Sequence, residues 1–322
     1  MIYIHLARKY RILPSQQSQS SRTTYIVTGA GIIFFFAWIL FYLLNEFLYP
    51  TFTLGFFILS LLFMLDDISP FHRSLHVAVN AIVLTMLFVE LNLYDHLSPL
   101  KLFIVFLLSL YCLHMFHFMN RINGMTGIYA LMFFVSIVLI SPANFNFVLA
   151  NPLYFILVSL VVFGFYNFRK KANAFAGDIG VYGIGYLILF FLLQVVFGRY
   201  NFVDAGDSLL NADTIVFDPK YFLFLSVYFV DSFLTILYRL FLKENIFTPH
   251  SRHCYQYLAI NLKKPHLLVA AWYATIQFSI NVYVMYSNIT LFEAVIILTG
   301  LSAIFILFKS REYLYSRISS KA

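Results

Sequence analysis

Residues 61–70 read LLFMLDDISP: Leu61-Leu62-Phe63-Met64-Leu65 run straight into Asp66-Asp67. In a chain of 322 residues that is 61% hydrophobic and 11% charged, two adjacent carboxylates are a statement about where a greasy segment stops. A charge in hydrocarbon is costly, so an apolar run that ends on a pair of them ends at a water boundary. Working outward, similar apolar segments occupy roughly 26–44, 52–65, 75–93, 102–119, 125–141, 152–168, 179–197, 219–241, 267–286 and 290–308. Most can cross about 30 Å of hydrocarbon as helices; the short 52–65 segment needs Tyr49 to Thr51 at its outer end. The mean hydropathy of +0.84 and the 20% aromatic content agree. Closed barrels show weaker, alternating patterns, so helices are the spanning form. The expected fold class is all-α: a polytopic membrane protein of about ten transmembrane helices. It is read as one integral membrane domain, 1–322, with a polar N-terminal segment 1–25 and a basic tail 309–322.

The basic residues orient it. With the N-terminus cytoplasmic, every Lys and Arg except Lys101, Arg199 and Lys220 falls on the cytoplasmic side, and an even helix count brings the C-terminus back there. Topology and attraction to anionic lipid account for the net charge of +7, so no nucleic-acid partner is called for. Residues 1–25 carry no cleavable signal pattern. Cys112 and Cys254 lie at different levels and have no metal-ligand spacing, so no disulfide framework is implied.

Chemistry is expected on the cytoplasmic side. Asp66, Asp67 and Asp178 break the outward lean of the other acids. HFMNRINGMTG (117–127), YNFRKKANAFAGDIG (166–180) and ENIFTPHSRHCYQY (244–257) gather amides, histidines, bases and glycines in the same set of loops. Each has an ordinary reading on its own: an Asp pair can solvate a helix end, Arg169-Lys170-Lys171 is a topology signal, and Asn123-Gly124 is a turn. Together on one face they suit phosphoryl chemistry. Carboxylates at a basic surface suit Mg²⁺, which keeps sites for water and substrate phosphates. Lys and Arg neutralise a diphosphate, and Gly177-Asp178 puts a carboxylate where helix-terminal N–H groups collect. Asp231 is the one good mid-span acid and is expected to pair with a neighbouring polar group. With no inverted repeat and no other mid-membrane acid, a transporter ranks below an enzyme.

Four pieces of sequence resemble the polyprenyl-phosphate N-acetylhexosamine-1-phosphate transferases, glycosyltransferase family 4, over about residues 7–286. They are Asp66-Asp67 after an apolar run, HFMNRINGMTG, Asn167-Phe168 followed by FAGDIGV, and VDSFLTILYRLFLKENIFTPHSRHCYQ from Val230 to Gln256. The resemblance implies transfer of a sugar-1-phosphate, N-acetylglucosamine-1-phosphate by branch, from a UDP-sugar to undecaprenyl phosphate. UMP is released, and a cell-envelope polysaccharide begins at the bacterial inner membrane. It implies Mg²⁺, with Mn²⁺ as the alternative ion, held by Asp178. Asp66, Asp67, His250 and His253 take catalytic roles. His117, Asn120, Arg121, Asn123, Gly124, Asn167, Lys171 and Arg252 bind substrate. Related enzymes are often dimeric, so a homodimer is the implied assembly.

The departures from the family pattern sit at polar positions. Asn120 stands for an acid, Arg121 for a Gly and Val181 for a Ser; in His250-Ser251-Arg252-His253 the Arg is moved by one place, and His76 takes the position of a basic residue about nine after the Asp pair. Asp-to-Asn removes a unit charge from a metal site. These departures give a second expectation: a relative with weakened or no turnover that binds polyprenyl phosphate or a nucleotide.

Overall fold

The computed structural model describes residues 27–140, 152–197, 217–245 and 251–319, with side chains described as far as 310. It is 80% helical, and the described residues form no strand. The main helices are α1 (Ile32–Leu44), α2 (Pro50–Ile68), α3 (Arg73–Glu90), α4 (Pro99–Phe118), α5 (Met125–Ile140), α6 (Pro152–Asn167), α7 (Gly177–Val196), α8 (Ser226–Phe241), α9 (His266–Tyr286) and α10 (Leu291–Ser319). Among the described residues seven segments are long and apolar enough to cross a membrane: α2, α3, α4, α7, α8 with its 3₁₀ lead-in Pro219–Leu225, α9 and α10; α1, α5 and α6 are shorter apolar helices. The expected all-α polytopic membrane architecture is the observed one.

Helix α7 is the axis of the bundle. It packs against α1, α2, α4 and α5, and every one of its residues is buried except Asp178. A helix apolar on all sides belongs inside, surrounded by other helices. The sequence GDIGVYGIGYLILFFLLQVV also explains the packing. Helices in lipid gain little from hydrophobicity and associate through close contact, which small residues permit. Gly180 meets Gly31 so closely that a Cβ on Gly180 would lie 2.6 Å from the Gly31 Cα. Aromatic pairs fill the rest: Phe52 stacks on Tyr186 at 4.6 Å and Phe63 on Tyr182 at 3.7 Å, fastening α2 to α7. Tyr129 stacks on Tyr228 at 3.6 Å, fastening α5 to α8.

Two observations refine the expected segments. The run expected from 26 begins as a helix only at Ile32, because residues 27–31 run beside 174–176 as a single bridge at Val27 followed by a turn at Ala30-Gly31. Phe175 N donates to Val27 O (2.8 Å), Ala30 N to Phe175 O (3.0 Å) and Gly31 N to Ala176 O (2.9 Å). The segment expected over 219–241 is not one α-helix. It is 3₁₀ to Leu225 and α from Ser226, and Gln277 of α9 repairs the junction. Its Oε1 accepts from Val227 N (2.9 Å) and Tyr129 Oη (2.7 Å), while its Nε2 donates to Leu223 O (2.8 Å) and Asn281 Oδ1 (2.8 Å). Backbone groups freed at such a break must find partners, since lipid offers none.

Candidate active site

The last turn of α2 and the first turn of α7 meet at one end of the bundle. Asp67 reaches across and accepts from Asp178 N (2.9 Å) through Oδ1 and from Ile179 N (3.3 Å) through Oδ2. These are amides of the first turn of α7, which have no partner inside their own helix. Ala176, at the N-cap of α7, makes no side-chain cap. Asp67 therefore does from α2 what a capping side chain does locally, and a negative charge there also suits the helix dipole. Gly177 makes the approach work: its φ is +71°, and a Cβ on it would run into Asp67 Oδ2 and the backbone of Gly29.

Asp66 is buried, and its Oδ1 accepts from Phe71 N (2.6 Å) and pairs with His76 Nε2 (2.9 Å). Asp178 is about one-third exposed (30%), with Oδ1 3.2 Å from His117 Nδ1. The Asp66 and Asp178 carboxylates approach one another, and Asp67 lies beside Asp178. Below this layer, one helical turn deeper, Tyr182 stacks on His117 with ring centres 5.4 Å apart. The structure thus gathers three carboxylates from two helices with two imidazoles, from α3 and α4.

The loops next to this cluster are built from the other motif residues. Gly124 N donates to Asn167 Oδ1 (2.9 Å), and Asn167 Nδ2 donates to Ala174 O (2.9 Å). Asn123 Nδ2 donates to Arg169 O (3.3 Å). Asn123, Gly124 and Asn167 are thereby buried and tie the 120–124 turn to the 169–174 turn. Asn120 Oδ1 accepts from Thr126 Oγ1 (3.0 Å). Arg121 and Lys171 are exposed. His253 is buried, its ring stacked near Phe118 at 6.5 Å, and Phe118 adjoins His117. Arg252 is turned to Glu244, Nη2 to Oε1 at 2.5 Å. Glu244 also holds the buried Arg239 (3.2 Å), and Lys309 of α10 donates to Arg252 O. His250 lies outside the described residues.

The family model described as glycosyl transferase family 4 matches residues 49–196. Over those residues the chain is similar to the glycosyl transferase family 4 proteins. No curated protein matches the chain. The family segment runs from the N-cap of α2 to the end of α7 and contains the whole carboxylate cluster; Asp231, Arg252 and His253 lie beyond it. The family points in general terms to a membrane-bound sugar-phosphate transferase that uses a nucleotide sugar and a polyprenyl phosphate.

The donor set of the segment that matches this family model can be tested against a hard divalent cation. Among the described residues no three His, Cys, Asp or Glu side chains are arranged to hold an ion by themselves. Yet three carboxylates crowd together, and their ion pairs among the described residues are with His76 and His117 rather than Lys or Arg. Crowded carboxylates call for positive charge. One or two carboxylates with room for substrate phosphate and water is the way Mg²⁺ is held, so the residues fit it. Asp178, one-third exposed, and Asp66 are the ones placed to do so.

Sequence reading named His76 only as the stand-in for a basic residue, and did not place it, Tyr182 or Glu244 among the site residues. Two signals were there to find. His76 follows the Asp pair by nine residues, and Tyr182 follows Asp178 by four, which puts both on one face of α7.

Proposed function

We propose that this protein transfers a sugar-1-phosphate, N-acetylglucosamine-1-phosphate first, from a UDP-sugar to undecaprenyl phosphate, with Mg²⁺, at the cytoplasmic face of a bacterial inner membrane. The observation that carries the reading is the convergence of Asp66, Asp67 and Asp178 with His76 and His117 at one end of the bundle. In the transfer, an oxygen of the lipid phosphate forms a bond to the sugar-bearing phosphorus. The bond from that phosphorus to the bridging oxygen breaks, and UMP leaves with the electron pair. Phosphoryl transfer of this kind is mostly positioning and charge neutralisation. The ion, bound to Asp178 and Asp66, would supply Lewis-acid neutralisation of the diphosphate. His117 holds Asp178 in place, and His76 holds Asp66. Asp67 fixes the start of α7, and so the position of Asp178, through two backbone amides. Arg121 and Lys171, exposed in the turns that follow α4 and precede α7, would meet phosphate charge.

The test is UMP release by the purified protein in nanodiscs holding undecaprenyl phosphate, with UDP-N-acetylglucosamine and Mg²⁺. Release should stop with EDTA. No release across a panel of UDP-sugars would sink the reading.

Asn120 supports a second reading, a relative with weakened turnover. It is neutral where the resembling family has an acid, and its oxygen is engaged by Thr126. On that reading Asn120→Asp restores a charge and raises Mg²⁺-dependent release by about tenfold or more. An unchanged rate would mean that the neutral oxygen suffices.

A further inference from the structure

Asp231 sits on α8, buried, outside the family segment and outside the carboxylate cluster. Its environment is dense in donors. Tyr273 Oη of α9 donates to Oδ2 (2.7 Å), as does Tyr255 N (3.4 Å). Cys254 N (3.0 Å) and Thr235 Oγ1 (3.3 Å) donate to Oδ1, and His253 Nδ1 lies 3.4 Å from the same oxygen. A buried carboxylate survives only when it is paired and hydrogen-bonded, and this one is.

The pattern of donors is the informative part. Cys254 and Tyr255 open a three-residue helical turn, Cys254–Gln256, with His253 at its N-cap and Gln256 Oε1 accepting from His253 N at 3.2 Å. The first amides of a helical turn are left without partners, and here a carboxylate from another helix takes them. The same carboxylate faces the imidazole of His253. The turn in turn bears on the site. Tyr255 Oη donates to Phe118 O (2.9 Å), His253 and Tyr255 stack with ring centres 5.6 Å apart, and Phe118 directly follows His117, which pairs with Asp178, at the end of α4. Burial pushes the Tyr255 hydroxyl well above its usual pKa, so it remains a donor.

We propose that Asp231 is a positioning residue: its carboxylate sets where the imidazole of His253 and the 254–256 turn stand relative to the end of α4. The activity arm of its test rests on the transferase reading; the structural arm does not.

Both arms use the full chain in nanodiscs. In the first, Asp231→Asn, His253→Ala and the double variant are compared for UMP release. If Asp231 acts through His253, each single variant lowers kcat by about 10–100-fold, with KM for the UDP-sugar within about threefold of wild type. The double variant falls no more than about threefold below the worse single one, because coupled residues do not add. Losses that multiply would overturn the proposal. In the second arm, amide hydrogen exchange is read by mass spectrometry. In Asp231→Ala, peptides over 252–257 should exchange about tenfold faster or more, while α7 peptides keep wild-type protection. Unchanged exchange over 252–257 would overturn the proposal with or without turnover. If Asp231→Ala loosens α7 as well, Asp231→Asn carries the comparison, with an expected acceleration of about threefold. A wild-type protein that releases no UMP fails the transferase reading alone, and exchange then decides the role of Asp231.

Discussion

Asp66 and Asp67 are neighbours in sequence and do different work. Asp66 turns to His76 and the Phe71 amide, whereas Asp67 turns to the first amides of α7. Asp67→Ala would leave two amides of α7 without their partner, which costs about 1–2 kcal/mol, while Asp67→Asn keeps one good acceptor and costs less. Thermal unfolding in detergent measures the order. Asp178→Ala leaves the fold nearly intact, since the side chain is one-third exposed and its ion pair among the described residues is with His117. Its UMP release should fall by about 10²-fold or more, as expected when a group neutralising the reacting phosphate is lost. Undiminished release would remove Asp178 from the mechanism.

The start of α7 and the junction before α8 decide the architecture among the elements. Gly177 carries φ +71° where a Cβ meets Asp67. Gly177→Ala should therefore cost activity and stability together, about 2 kcal/mol or more, where the same change at the exposed Gly300, with open space around it, costs little. Gln277 is the second point. Its amide serves five groups at and near the 3₁₀-to-α break, so Gln277→Leu strands buried polar atoms on four elements. A loss of about 2–4 kcal/mol is expected, read as a lower midpoint in a thermal or chemical melt in detergent.

The described residues form a bundle wrapped around one helix, α7, that is buried along its length except at Asp178, with the motif loops at one end of it. That arrangement and the basic loops make a topology prediction. Cys112 and Cys254 are buried, so an impermeant thiol reagent spares them. A cysteine placed at Lys171 should label only after the membrane is opened, and one placed at Lys101 should label while the membrane is intact. The reverse pattern would turn the site to the opposite face and end the proposal that it meets UDP-sugars of the cytoplasm.

The sequence by itself determined the all-α membrane class of this protein and which residues stood as candidates for its site. Apolar runs long enough for hydrocarbon must be helices, and each acid or Gly-Asp step that interrupts them marks a water boundary; Asp66, Asp67 and Asp178 were legible for that reason. The late start of α1 and the break before Ser226 were not legible, because both depend on backbone partners from far along the chain: 174–176 in one case, Gln277 in the other. Asn123, Gly124 and Asn167 stood out as site residues in sequence; only the fold shows them spending their hydrogen bonds on one another and on the turns. Likewise Asp231 read as a mid-span acid in want of a partner, and the fold decided which: Tyr273, His253 and the amides of the 254–256 turn. Local pattern fixes which segments leave water; the pairing of buried polar groups is a property of helices brought together, and no one segment contains it.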